Sequence, residues 1–321
     1  MSVIAKRPFS DEEAAFEYLE RTLWPDGPVC PHCGTIGRAT KLGGRKGDGK
    51  RQARLGLWKC NERECRKQFT VKVGTVFEHG RIPLHKMLQA VYLLCCSKKG
   101  CSSHQLHRIL QITYKSAWFL SHRIREAMRS GHLTPLGGLG KIVEADETTS
   151  GWQEGQPKQL KQGGGWQNRN VVLTLVERGG EARSFHVDGT TLGTLLPIIR
   201  HNIDRETTVM TDAASWYKNL KWHAGFAAHH SVHHESEEYV RYAPGADIHT
   251  NTVEGYYSIF KRGMKGIYQH CGEKHLHRYL AEFDFRYSHR IKTGYDDSKR
   301  ADRALLGVKG KRLTYETTAQ I

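Results

Sequence analysis

The sequence has no run of about 18 or more apolar residues, the length a membrane helix needs, so no membrane-spanning helix is expected. The opening stretch from Met1 to Phe16 lacks an apolar core of signal-peptide length and turns acidic at once, so the expectation is a cytosolic protein. There, eight cysteines are expected as thiols or metal ligands and not as disulfides. Apolar residues make up only 38%, enough for cores but below the usual globular share. Acidic residues are short as well: 33 Asp and Glu face 49 Lys and Arg, for a net charge of +16. A field of that sign attracts polyanions and is the footprint of a nucleic-acid binder. No internal repeat is present. The 321 residues predict two or three domains, at roughly 100–200 residues each.

The N-terminal part reads as a helix from Ser10 to Leu23, with Ser10 as its cap and Glu13 three positions on. Residues 28–75 are rich in Cys, Gly and basic residues, with short β-like runs. Within them stand Cys30 and Cys33, then Cys60 and Cys65. Two close thiol pairs in a cytosolic chain suit one tetrahedral Zn²⁺ held by four thiolates. With no open ligand position, such a zinc is structural and closes a ribbon too small for its own core. Cys95 and Cys96 lie on an apolar helical pattern and are expected as core residues.

Residues 84–128 read as helical. Within them, Ser102–Leu110, a turn at Gln111–Thr113 and Tyr114–Met128 suggest a helix-turn-helix, whose second helix would enter the major groove. Thr113 can cap that helix. Lys115, Ser116, His122, Arg123 and Arg125 would form its DNA-facing side, with Trp118, Phe119 and Ile124 on its core side.

From Lys141 the pattern changes to strands and helices in the order βββαβ(β)αα, which predicts an α/β domain with a mixed sheet. Gly179-Gly180 marks a hairpin between two of the strands. Asp146 is read at the end of one strand, Asp212 at the end of another, and Glu254 on a helix opening at Asn251. Three carboxylates on three elements converge only through folding. If they do, they suit hard Mg²⁺ or Mn²⁺, and two such ions can activate a water or a 3′-hydroxyl and stabilise the leaving oxygen. An RNase H-like sheet would make the two strands neighbours. Lys261 lies on about the same helix face as Glu254, within reach of a phosphate. Glu144 and Glu147 flank Asp146 as competitors, and Asn251, one turn before Glu254, is another oxygen donor. The dense run at His229, His230, His233 and His234 reads as a basic strand near DNA. Lys158, Lys161, Gly163–Gly165 and Arg169 read as a basic loop.

With these motifs in place, the chain resembles bacterial insertion-sequence transposases related to the eukaryotic Merlin elements. The resemblance spans about residues 10–290 and is carried by Cys30–Cys33, Val143–Thr148, Val209–Asp212, Tyr268–His270, Phe283–Tyr287 and above all the block from His249 to Gly263. It implies a zinc ribbon with an N-terminal helix (1–75), a helix-turn-helix domain (76–132) and an RNase H-like DDE-type catalytic domain (141–290), and the residues after Arg290 read as a polar, loose tail (291–321). Asp146, Asp212 and Glu254 would be metal ligands and catalytic acids, with Asn251 and Lys261 in support. The third ligand stays open between Glu254 and Asn251, with Glu254 preferred. The C-x4-C spacing of Cys60 and Cys65 is wider than the common pair. The expected partners are terminal inverted repeats and target DNA, bound by a homodimer or larger assembly at the nucleoid. Two rival readings are a DNA-binding regulator with an inactive catalytic domain and a simple RNase H-like nuclease.

Overall fold

The structure is a computed structural model. It describes residues 3–43, 54–131, 134–158, 166, 168–218, 220–233, 240–242 and 246–314. The chain gathers into two compact units. One comprises Met1–Ser97, Cys101–Arg129 and Asp297–Ile321, the other Lys98–Gly100 and Ser130–Asp296.

The first unit opens with helices α1 (Arg7–Ser10) and α2 (Glu12–Leu23). The cap of α2 is Asp11, whose carboxylate accepts from the Ala14 N–H at 2.8 Å, and not the expected Ser10. Ser10 ends α1, and its hydroxyl is turned back to the Lys6 carbonyl at 3.3 Å. Strands β1 (Ala39–Lys41), β2 (Trp58–Cys60) and β3 (Gln68–Phe69) form a small antiparallel sheet. Helices α3 (Leu84–Cys96), α4 (Ser103–Leu110) and α5 (Tyr114–Met128) follow. Three residues join α4 to α5. Gln111 takes the left-handed conformation at φ +51°, and Thr113 caps α5 by accepting from the Ser116 N–H, as the sequence predicts. Cys95 is fully buried in α3.

The second unit is an α/β layer structure. Its elements are β4 (Ile142–Trp152), β5 (Arg169–Glu177), β6 (Ala182–Val187), α6 (Leu192–Asn202), β7 (Thr208–Asp212), α7 (Leu220–Ala224), β8 (Ala228–Val232), α8 (Asn251–Gly263) and α9 (Leu276–Ser288). The sheet order is β6-β5-β4-β7-β8. The first three strands form an antiparallel meander, with Gly179 at φ +79° in its hairpin, while β7 and β8 add in parallel on the far side of β4. This mixed sheet is that of an RNase H-like domain. Alternation along β5 splits the core. Val171, Leu173 and Leu175 pack with Val143, Val209 and the α6 residues Leu195 and Ile199. Val172 and Val176 pack with Val253, Tyr257 and Phe260 of α8 and with Leu280 and Phe283 of α9. Each such side chain contributes about 1.5–3 kcal/mol by leaving water. A strand buried on both faces reads as a continuous apolar run, as β5 does.

Two expectations are corrected. Asp146 does not end its strand, because β4 continues to Trp152 with a register shift between Thr149 and Trp152. The C-terminal segment is not wholly loose either, since α10 (Asp297–Leu306) belongs to the first unit. The α10 helix buries Ala301, Ala304 and Leu305, its Arg300 donates to the Cys95 carbonyl at 2.9 Å, and its Asp302 accepts from the Tyr18 hydroxyl. Among the described residues, no helix is long and apolar enough to cross a membrane.

Candidate active site and cysteine cluster

Cys30, Cys33, Cys60 and Cys65 converge in the first unit, with their sulfurs all within 4.8 Å of one another. The Cys30–Cys65 and Cys33–Cys60 sulfur separations are both 3.7 Å. A tetrahedral zinc with Zn–S near 2.3 Å requires about 3.8 Å between sulfurs, so these two separations match and the four thiols suit a Zn²⁺ ion. Trp24, Trp58 and Phe69 wrap the cluster.

The carboxylates meet by sheet register. β4 and β7 run parallel, with Ile142 beside Thr208, Val143 beside Val209 and Glu144 beside Met210. The paired stretch ends there, and two residues further along each strand Asp146 and Asp212 lie close enough for the Asp212 charge to act on Asp146. Alternation turns Glu144 and Asp146 to the α8 face of the sheet and Val143, Ala145 and Glu147 to the α6 face. α8 brings in Glu254 and Lys261. Burial pushes the Asp146 carboxyl up to about 7, and the Asp212 and Glu254 charges push it the same way, against Lys261. The structure thus brings four of the sequence-predicted residues, Asp146, Asp212, Glu254 and Lys261, into one electrostatic cluster. Asn251 is the exposed first residue of α8, on the Glu254 side of the helix by spacing. A crowded set of carboxylates with a raised pKa is a place where a divalent cation replaces a proton.

The two flanking glutamates have separate tasks, which spacing alone did not reveal. Glu144 is fully buried and sits under the start of α8. It accepts from the Thr252 N–H at 2.8 Å, the Val253 N–H at 2.9 Å and the Thr252 hydroxyl at 2.7 Å. These are backbone donors that a helix start leaves without partners, and a carboxylate there also meets the positive end of the helix dipole. Arg178 balances its charge at 2.6 Å and holds the incoming chain through the carbonyls of Asp247 and His249. Further along α8, the Tyr257 hydroxyl contacts the Asp146 carbonyl at 2.6 Å. Glu147, on the opposite face, accepts from Trp216 Nε1 at 3.1 Å and from the Tyr217 hydroxyl. These two residues belong to the turn that follows Asp212, whose own carboxylate accepts from the Ala214 N–H at 3.1 Å. Burial raises Glu147 to about 8. Asp146 is therefore flanked by one acid anchoring the Glu254 helix and another anchoring the turn after Asp212. The one signal in the sequence was alternation, which put Glu144 and Asp146 on one face.

The predicted DNA-facing set on α5 is partly corrected. Lys115 is exposed, and Ser116 is half-buried with its hydroxyl 2.9 Å from that of Thr113. Arg123 is half-buried with its guanidinium 4.6 Å from the centre of the Phe119 ring. His122 and Arg125, each only 1% exposed, point inward, and Arg125 donates to the Ser121 hydroxyl at 2.9 Å. α5 packs against α3, α4 and α10, so its inner face is broad enough to include these polar positions. Ile124 is buried as expected, while Trp118 and Phe119 are only half-buried. In the second unit, His229 is not a cation: burial pushes it down to about 4, and its Nε2 lies 3.0 Å from the Thr211 hydroxyl. His234, Lys161 and Gly163–Gly165 lie outside the described residues.

Comparison with known proteins places these features. Residues 135–288 match the family model of the ISXO2-like transposase domain, and residues 10–68 match that of the transposase zinc-ribbon domain. The two matches together cover about two thirds of the chain. All four zinc-ribbon cysteines fall in one match and the whole carboxylate cluster in the other, while α4 and α5 lie between them. A relative in Halobacterium salinarum, an uncharacterized protein in transposable element ISH50, is 25% identical over 296 residues, covering 87% of this chain and 92% of its own length. Among solved structures, a simian T-cell lymphotropic virus intasome in complex with PP2A regulatory subunit B56 gamma aligns with a TM-score of 0.27 and 14% identity, over 62% of this chain and 65% of that one.

Proposed function

We propose that the protein cuts the terminal inverted repeats of its own insertion sequence and joins the freed ends to target DNA. The observation that carries this reading is the convergence on Asp146 of the Asp212 and Glu254 charges and of Lys261, from β7 and α8. Asp146, Asp212 and Glu254 would hold Mg²⁺ or Mn²⁺, with Asn251 as a further oxygen donor at the start of α8. When bound, such ions supply Lewis-acid stabilisation and an activated oxygen nucleophile. The chain's own part is to place the carboxylates and to set Lys261 against the negative charge of the scissile phosphate. In cleavage, water adds at phosphorus, the bond to the 3′ oxygen breaks, and that oxygen leaves with a proton as a 3′-hydroxyl. In joining, this hydroxyl attacks a target phosphodiester and displaces its 3′ oxygen. One bond forms for each that breaks, so no external energy source is needed.

DNA would be gripped by the first unit. The α4–α5 pair would act as a helix-turn-helix, with Lys115, Ser116 and Arg123 as its DNA-side residues and His122 and Arg125 left out by their burial. Phosphate contacts would dominate affinity, so binding would weaken steeply with salt. Paired ends require a homodimer or larger assembly, working in the cytoplasm at the nucleoid.

The test is strand cleavage of a duplex carrying the gene's native flanks in Mg²⁺ or Mn²⁺, comparing wild type with Asp146→Asn. Expected are metal-dependent nicks at the flank ends that vanish in the variant while binding survives. Tight end binding without cleavage in either metal would replace this reading with a regulator. Cleavage indifferent to the flank sequence would replace it with a nuclease.

A further inference from the structure

Beyond the carboxylates, the second unit contains a cavity of about 370 Å³ that Lys261 also lines. It is within the range of ligand pockets, on the order of 300–1,000 Å³. Three departures from regular structure meet there. β4 shifts register between Thr149 and Trp152, with Gly151 at φ +70°. α8 does not end but widens into a π-helix over Met264–Tyr268, a form that is rare and concentrates at functional sites. Gln269, the next residue, adopts the left-handed side of backbone space at φ +58°, which is uncommon for a residue other than glycine.

The lining chemistry is one-sided. Arg169, Lys261 and Lys265 contribute three cations, and among the described residues no Asp or Glu lines the cavity. Asn170 is 1% exposed. Its amide donates to the Trp152 carbonyl at 3.1 Å, but its Oδ1 has no hydrogen-bond partner among the described residues. A buried acceptor left unmet costs about 1–3 kcal/mol, so its retention points to a donor that arrives with a ligand. Met264 and Leu276 add apolar wall. Cations at the rim, an apolar wall and a buried acceptor together match a nucleotide, with its anionic phosphate, flat base face and amino or hydroxyl donor.

We propose that this cavity takes one nucleotide of the DNA strand engaged at the acids, with its phosphate against Lys265 and Lys261 and its base or sugar turned inward toward Asn170. The inference rests on the transposase reading above and deepens it. The cavity begins at Thr149, about 10 Å along β4 from Asp146, and Lys261 is common to both sites, so a strand leaving the acids along α8 arrives there. A free phosphate ion shares the anion chemistry but brings no flat face for the apolar wall of Met264 and Leu276.

The test uses the full chain and native-end duplexes in which a single neutral methylphosphonate is moved one position at a time along the cut strand. Lys265 is exposed, so Lys265→Ala is expected to fold normally. In wild type, one position beside the cut should lose about tenfold in affinity on neutralisation, and in Lys265→Ala the loss at that position should shrink several-fold, with Lys261 still present, while all others behave as in wild type. Cys271 also lines the cavity and gives a readout independent of catalysis. The duplex should protect it from alkylation, scored by mass spectrometry, and inorganic phosphate alone should not. Equal penalties in both proteins at every position, with Cys271 equally reactive, would overturn the subsite and leave the transposase reading intact if wild type still cuts. Protection by phosphate alone would reduce the cavity to a simple anion site. Failure of wild type to bind or cut native ends in either metal would remove both readings together.

Discussion

The molecule carries two candidate metal centres built on opposite principles. The ribbon cluster is made of soft sulfur from two tight knuckles, its four ligand atoms all lie within 4.8 Å, and it is closed. The carboxylate cluster is made of hard oxygen from a strand, a strand end and a helix, its neighbours Glu144 and Glu147 are hydrogen-bonded to adjoining segments, and it does not form a set that tight among the described residues. A closed sulfur cage suits a zinc that stabilises a fold, and an open oxygen cluster suits an exchangeable ion that meets a substrate. The first needs only local chain geometry. The second needs the whole sheet.

The largest effect expected from this contrast is on folding. Structural zinc in small ribbons carries roughly 10–16 kcal/mol of apparent binding free energy, which is also folding free energy. Cys60→Ser should therefore lose zinc and unfold the ribbon, seen as exposure of Trp24 and Trp58 in fluorescence and as one zinc fewer per chain by elemental analysis. A chelator strong enough to strip Mg²⁺ but not thiolate-bound zinc should abolish cleavage reversibly and leave that fluorescence unchanged. A zinc-free protein with a folded ribbon would break the comparison.

A smaller effect is expected where the carboxylate site leans on its anchors. Glu144→Gln keeps the shape but removes charge and acceptor capacity from the start of α8 and leaves Arg178 unbalanced. Loss of a partner that orients a ligand costs about 10–100-fold in metal affinity or activity. The expected signature is weakened Mn²⁺ binding, measured by titration well below the unfolding midpoint. Unchanged Mn²⁺ affinity would confine Glu144 to folding stability.

The smallest effect expected is that of pH. Asp146, held near 7 by burial and by Asp212 and Glu254, must lose its proton to take a cation. Below 7 it is protonated and competes with metal, and above 7 it is not, so Mn²⁺ affinity should fall about tenfold from pH 8 to pH 6. For folding without metal the sign reverses. A carboxyl whose folded pKa is raised favours the folded state at low pH, and that stability is lost as pH rises from the ordinary carboxylate range through 7. A flat Mn²⁺ profile would contradict the environment assigned to Asp146.

Cysteine pairs at short spacing, a helix cap at Thr113 and the strand-end Asp212 were legible because each rests on a few neighbouring residues. The meeting of Asp146, Asp212 and Glu254 was expected too, as was the mixed α/β sheet. The direction of His122 and Arg125 was not, because a helix wrapped on several sides has an inner face wider than one apolar stripe. The helix at Asp297–Leu306 was hidden for a related reason: its polar sequence gains order only by burying Ala301, Ala304 and Leu305. Glu144 and Glu147 looked like rivals of Asp146, since sequence shows a carboxylate but not its donors.

By itself the sequence determined the charge, the ribbon's ligands, the strand and helix periods and the family resemblance, all of which depend on composition or on residues close along the chain. Only the tertiary structure decided that Asp146 stands beside Asp212, that Glu144 holds the helix bearing Glu254, and that Lys261 lines both the acids and a cationic cavity. Those facts depend on the parallel register of β4 and β7 and on the packing of α8 over the sheet. The residues concerned lie tens of residues apart along the chain, and only burial of the shared core brings them together.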